Sequence, residues 1–112
     1  MKQEDFESLI TRKFADCAQI LITRGAHYAS NKDFLENFKH TAVLMNEVGF
    51  TFHNKPVTPE MVCLLFELIK VQRWGNRIRE NKDPMDDNLD GINYHLLGIG
   101  CRVDTDEEKV EK

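Results

Sequence analysis

Apolar residues at spacings of three and four open the chain. Phe6, Leu9, Ile10, Phe14, Cys17, Ile20 and Leu21 repeat with the period of a helix packed on one side, which predicts an amphipathic helix from about Gln3 to Arg24. Gly25 is the expected stop. A second helix is expected from about Lys32 to Val48, capped by Ser30 or Asn31, with Phe34, Phe38, Val43, Leu44 and Met45 on its core side. Gly49 to Val57 (GFTFHNKPV) reads as a connector. Its Thr51-Phe52 pair could be briefly extended, but one short run does not make a sheet.

The third helix has a well-defined start. Thr58 stands at the N-cap, Pro59 at the first helical position and Glu60 in the first turn. Met61, Val62, Leu64, Leu65, Leu68, Ile69 and Val71 cover most of its circumference, the pattern of a helix central to its fold. It should end near Arg79. The fourth helix is expected to open with Asp83 as N-cap, Pro84 at the first position and Asp86 in a place like that of a capping box. Ile92, Leu96, Leu97 and Ile99 follow, and Gly98 and Gly100 should weaken its far end. Strand signals are scarce. The expectation is an all-α domain over residues 1–103, four helices with an antiparallel central pair, followed by a charged flexible tail over 104–112 (DTDEEKVEK).

Composition narrows the class. A chain of 112 residues, 41% hydrophobic and 30% charged, is long enough for one self-sufficient core and is not written as a disordered chain. No apolar run approaches the length of a membrane span, and the acidic start MKQEDFESLI does not read as a signal peptide. Cys17, Cys63 and Cys101 are odd in number and widely spaced. They read as buried thiols of a reducing, cytoplasmic setting, not as a disulfide frame or a zinc site. The net charge of −4 argues against nucleic acid as a partner. Arg73, Arg77 and Arg79 with Lys70 form a modest basic stretch on helix three, better suited to the phosphate of a small nucleotide.

Candidate chemistry gathers on helices three and four. Glu67, Lys70 and Arg73 recur one turn apart, and Asp86, Asp87 and Asp90 cluster at the start of helix four. An antiparallel pair lets the two sets face each other. One reading is a Mg²⁺ and phosphate site, with carboxylates on the cation and Lys70 and Arg73 on phosphate oxygens. The other is a solvated charged face, since Glu67–Lys70 suits an intrahelical pair and acids favour a helix start regardless of function. Trp74 could stack a base or anchor an interface. Asn93, one turn from Asp90, could bind a phosphate, order a ligand or hold a neighbouring helix, and Asn37 has the same alternatives. The histidines (His27, His40, His53 and His95) have no metal-binding spacing.

From Tyr28 to Gly98 the chain resembles the MazG-like all-α nucleoside triphosphate pyrophosphatases, in particular a small phage- and prophage-borne branch. The resemblance rests on Tyr28, Glu36-Asn37-Phe38, Thr58-Pro59-Glu60-Met61-Val62, Lys70-Val71-Gln72-Arg73 and Asp90-Gly91-Ile92-Asn93-Tyr94, in that order. It implies a MazG-like four-helix bundle, often completed by oligomerisation into dimers or tetramers, in the cytoplasm of a bacterial host. It also implies Mg²⁺-dependent cleavage of a nucleoside triphosphate to monophosphate and pyrophosphate. The family's Glu-x-x-Glu and Glu-x-x-Asp pairs fall here on Glu67-x-x-Lys70 and Asp87-x-x-Asp90. Glu67, Asp87 and Asp90 would then be the metal ligands and catalytic carboxylates. Tyr28, Asn37, Lys70, Arg73, Trp74, Asn93 and Tyr94 would contact the nucleotide, although Tyr28 could equally pack beneath its loop. Lys70 departs from the pattern, since it replaces a carboxylate by a cation. That departure favours a second expectation, a protein that binds a nucleotide without hydrolysing it, as a sponge or sensor of a signalling nucleotide. Phe34, Phe38 and the broad apolar surface of helix three exceed what a lone four-helix domain needs, which is compatible with a core spanning subunits.

Overall fold

The structure is a computed structural model that describes residues 1–28 and 33–111, with side chains described over 1–24 and 33–106. Four helices carry the fold: α1 (Gln3–Tyr28), α2 (Glu36–Glu47), α3 (Pro59–Arg79) and α4 (Met85–Glu111), with two-residue strands β1 (Thr51–Phe52) and β2 (Lys55–Pro56) between α2 and α3. The all-α class and the central antiparallel pair of α3 and α4 are as the apolar pattern predicts. Among the described residues, no helix is long and apolar enough to cross a membrane.

The start of α3 follows its sequence closely. Thr58 has extended backbone and its Oγ1 accepts from the Met61 N–H at 3.3 Å, with Pro59 following at the first helical position. Elsewhere the boundaries move. Helix α1 runs past Gly25 to Tyr28, so Tyr28 is the last residue of a helix and not part of a loop. A glycine near a helix end permits a stop without imposing one. Helix α2 starts at Glu36 instead of Lys32. Ser30 and Asn31 lie outside the described residues, and Asp33 is the side chain that accepts from the backbone here, at Leu35 N–H (2.9 Å). Asp83 accepts from Met85 N–H (2.9 Å) but sits one residue before the N-cap, because the first helical bond runs from Asn88 N–H to Pro84 O and so puts Pro84 at the cap, just outside the helix.

Two further differences have a packing cause. The connector does form a small antiparallel hairpin, Thr51 opposite Pro56 and Phe52 opposite Lys55. Its turn residues His53 and Asn54 have φ of 51° and 63°, the pair of positive angles that a tight two-residue hairpin turn requires. Asn46 on α2 fastens it, accepting from Val57 N–H (2.7 Å) and donating to Val57 O (2.9 Å). Helix α4 continues through Gly98, Gly100 and the charged segment to Glu111. Gly98 lies against Cys63 of α3, and Asp104 pairs with Lys39 of α2 at 2.7 Å. Tertiary partners thus hold a stretch that local propensity alone would let fray.

The core is small. Ala42, Val57 and Val62 pack with Phe38, Met45 and Met61, where α2, the hairpin and the first turn of α3 meet. Cys63 and Cys101 seal the α3–α4 crossing with sulfurs 3.9 Å apart, and Cys17 of α1 sits over Leu89 of α4 with its thiol toward the Leu89 carbonyl (3.9 Å). All three cysteines are buried free thiols. Burial raises the pKa of Cys17, and the hydrogen bond with Cys101, followed by burial, raises that of Cys63.

Candidate functional site

The antiparallel register of α3 and α4 decides where each charged side chain goes. Glu60 meets Arg102 (2.7 Å), Glu67 meets His95 (3.0 Å), Lys70 meets Asp90 (3.2 Å), and Arg73 and Arg77 both meet Asp87 (3.3 and 3.4 Å). Glu67 therefore turns to the opposite helix, not to its own neighbour Lys70. Lys70 is only 15% exposed and takes one oxygen of Asp90; Arg24 of α1 takes the other at 2.9 Å. Asp87 is 5% exposed and likewise has one guanidinium on each oxygen.

This geometry bears on the expected Mg²⁺. A divalent cation bound through carboxylates needs them gathered on one point with oxygens to spare. Here Glu67, Asp87 and Asp90 are each engaged by cationic or imidazole partners, and among the described residues no group of three or more His, Cys, Asp or Glu side chains is placed to hold a metal ion. The arrangement does not fit the ion. Where the resemblance would put bound metal between α3 and α4, this chain has the ammonium of Lys70.

A second group of candidates converges elsewhere. Asn37, Asp90, Asn93 and Tyr94 line a cavity of about 280 Å³ between all four helices. Ile20, Leu21 and Arg24 of α1 close one side, Phe34, Phe38 and Thr41 of α2 another, with Phe66 and Leu97 from the central pair. Tyr94 stacks on Phe66 (centroids 5.2 Å, 17° between planes) and meets Phe38 edge-on (6.4 Å, 87°). Asn93 is 6% exposed, and its Oδ1 has no hydrogen-bond partner among the described residues. Buried carboxamide oxygens are normally satisfied, because an unmade hydrogen bond in a dry site costs about 1–3 kcal/mol. The Asn93 side chain lines the cavity while its Oδ1 is itself closed to solvent, so a ligand donor reaches that oxygen when the lining shifts.

The remaining candidates divide. Trp74 lies with Lys70, Asp87 and Phe14 along a groove of about 550 Å³ and keeps 43% of its surface exposed. Asn88, in the same groove, carries the other buried carboxamide oxygen without a partner among the described residues. Arg73 is a half-exposed partner of Asp87. The side chain of Tyr28 lies outside the described residues. The predicted set is thus split between a cavity on the α1–α2 side and a groove along α3 and α4, with Asp90 bound from both.

Sequence reasoning missed Arg24, Phe34, Thr41 and Phe66 in the cavity, and His95 as the partner of Glu67. The cavity residues carry no motif; they meet because α1 and α2 cross the central pair there. His95 could have been found by register, since facing residues of α3 and α4 have numbers that add to nearly the same total.

No family model, curated protein or solved structure matches this chain.

Proposed function

We propose that the protein binds a nucleotide, or a small molecule derived from one, without a divalent cation and without turning it over. The observation that carries this reading is the Asn93 side chain, whose Oδ1 has no partner among the described residues, on the wall of an aromatic-lined cavity. The cavity is at the small end of the range for ligand sites, about 300–1,000 Å³. It suits a base, or a base with part of its sugar. Phe34, 45% exposed at the rim, offers a face for stacking, an interaction worth about 1–3 kcal/mol per base. Asn93 Oδ1 would accept from a ring or exocyclic N–H, and Asn37 adds a second carboxamide on the facing helix. Arg24, exposed and held in place by Asp90, would meet a phosphate outside the cavity.

The motif resemblance supports the nucleotide part of this reading, and the cation pairing of the carboxylates supports the absence of hydrolysis. The MazG-like hydrolytic reading asks Glu67, Asp87 and Asp90 to exchange His95, Arg73, Arg77, Arg24 and Lys70 for metal ions.

One experiment separates the two. The protein is dialysed against a pool of ordinary, modified and cyclic nucleotides, once in excess chelator and once in Mg²⁺, and retained and free fractions are analysed by mass spectrometry. The expected result is an intact nucleotide retained in chelator. Monophosphate and pyrophosphate appearing only in Mg²⁺ would establish the hydrolase instead. Retention of nothing would overturn the ligand reading.

A further inference from the structure

Two of the three buried cysteines are placed differently from the third. Cys17 packs alone with its thiol toward a main-chain carbonyl of α4, as a cysteine used for its small apolar volume does. Cys63 of α3 and Cys101 of α4 instead face each other across the helix crossing, with sulfurs 3.9 Å apart. They are 1% and 2% exposed, and both are free thiols. The crossing is tight there: a Cβ added at Gly98, one turn before Cys101, would lie 3.5 Å from Cys63 Cβ. Sulfurs carried by packed helices hold their separation better than sulfurs carried by loops.

That separation bears on what the pair can hold. The sulfurs of a disulfide are about 2.05 Å apart, so closing one would draw this pair in from 3.9 Å by nearly half. A metal–thiolate bond is about 2.3 Å for zinc, and two such bonds in line set their sulfurs about 4.6 Å apart. The pair is closer to that arrangement, which small rotations of the two side chains would complete.

The donor set then narrows the ion. Among the described residues, no third His, Cys, Asp or Glu joins the pair in a group placed to hold a metal. Zinc in a structural site takes four ligands, and magnesium and calcium take oxygen. Two thiolates alone suit soft, monovalent copper, the ion that sulfur ligands select. Cys63 also lines a groove of about 390 Å³ with Met61, Leu64, Ile99 and Arg102. Because Cys63 is itself closed to solvent, an ion entering by this groove reaches the sulfurs when the lining shifts. The thioether of Met61 puts another soft donor on that route.

We infer that Cys63 and Cys101 together form a two-sulfur site for copper(I) at the α3–α4 crossing. Two S–H bonds are exchanged for two S–Cu bonds, and two protons leave to solvent. Copper keeps its single positive charge and no electron is transferred, so the bound pair carries one negative charge. Arg102 on the groove wall carries the opposite charge. The ion ties α3 to α4 and stabilises the folded chain as any ligand of the native state does.

The test uses the full chain, reduced with a phosphine and kept free of oxygen. Titrated with copper(I) against the chromogenic chelator bicinchoninate, the protein should withdraw one ion per chain. Its melting temperature should rise with copper(I) and stay unchanged with zinc. Cys63→Ser and Cys101→Ser should each weaken binding by more than the roughly 100-fold that loss of an outer-shell partner can cost. Cys17→Ser should bind as the wild type does. X-ray absorption of the loaded wild type should show sulfur neighbours only, and it decides the matter even if a serine variant does not fold. Oxygen or nitrogen neighbours overturn the inference. So does wild-type binding no tighter than that of Cys63→Ser, loss of binding in Cys17→Ser, or one ion shared by two chains. Nucleotide retention is measured without copper, so failure here leaves the ligand reading where it stands.

Discussion

Asn93 is where stability and binding pull in opposite directions. Its buried Oδ1 is unpartnered among the described residues, so the free protein carries a desolvation cost that a ligand would remove. Asn93→Leu has a similar volume and no polar atom. It should stabilise the free protein by about 1 kcal/mol, read as a higher urea midpoint, and should lower nucleotide retention at least tenfold. A loss of stability would show that the carboxamide is satisfied in solution and that the site has been misread. Asp33 gives a pH test. Its carboxyl is held below its ordinary value of 3.8 by the hydrogen bond from Lys39 (2.7 Å) and then by the Leu35 N–H. A folded pKa below the unfolded one gives stability that is complete above the unfolded value and lost as pH falls through the folded one. Lys39 is shifted upward by Asp104 and then Asp33, so its share is complete below its ordinary 10.5 and is lost only in stronger alkali. The Asp33–Lys39 pair at the start of α2 should therefore hold from about pH 4 to about pH 10. An NMR titration of the Asp33 carboxyl should give a midpoint below 3.8, and Lys39→Met should return it toward that value. An unchanged midpoint in Lys39→Met would refute the pairing.

Helix α4 shows how tertiary packing overrides local preference. It contains Gly91, Gly98 and Gly100 yet runs unbroken from Met85 to Glu111. The nearest neighbours of an added Cβ are Lys70 Cβ at 3.7 Å, Cys63 Cβ at 3.5 Å and the Leu35 methyls at 3.8 Å, all ordinary contact distances. Gly98→Ala should therefore gain most of the helix preference of alanine, about 0.5–1 kcal/mol, without a clash. Thermal melts at fixed protein concentration check this, and a fall in the midpoint would mean that the helices approach more closely than these distances. The same contrast explains what was legible in the sequence. The start of α3 was, because Thr58, Pro59 and Glu60 signal it locally. The extent of α4 was not, because it is held by Cys63 and Lys39, residues distant in the chain. The hairpin was missed because the His53-Asn54 turn uses positive φ at both positions without the usual glycine. Asp87, Asp90, Lys70 and Glu67 were legible as a facing set, but their partners were not. An i, i+3 spacing offered Glu67 the partner Lys70, and only the helix register reveals His95 and Asp90.

The four helices are not held equally, and this sets the order in which the molecule should open. Helices α3 and α4 share the sealed cysteine crossing and the line of ion pairs from Glu60–Arg102 to Arg77–Asp87. Helix α1 is anchored over a shorter stretch, with Cys17 over Leu89 and Arg24 on Asp90, while Phe6, Phe14 and Ile22 remain largely exposed. Segments with few buried contacts open at low free energy. Amide exchange in the free protein should accordingly be fastest in the first half of α1 and slowest around Cys63 and Cys101. The cavity adds a second expectation, because Ile20, Leu21 and Arg24 form its α1 wall. A nucleotide seated against Asn93 bridges that wall to α2 and α4, and it should slow exchange around residues 17–24. Exchange measured by mass spectrometry, with and without the nucleotide retained in dialysis, reads both effects at once. Protection appearing instead along Glu67, Lys70, Trp74 and Asp87 would place the ligand in the groove and return the charged α3–α4 set to the centre of the function. Protection confined to α1, α2 and the middle of α4 would make α1 the wall that tightens on the bound molecule, anchored in the free protein by Cys17 over Leu89 and Arg24 on Asp90.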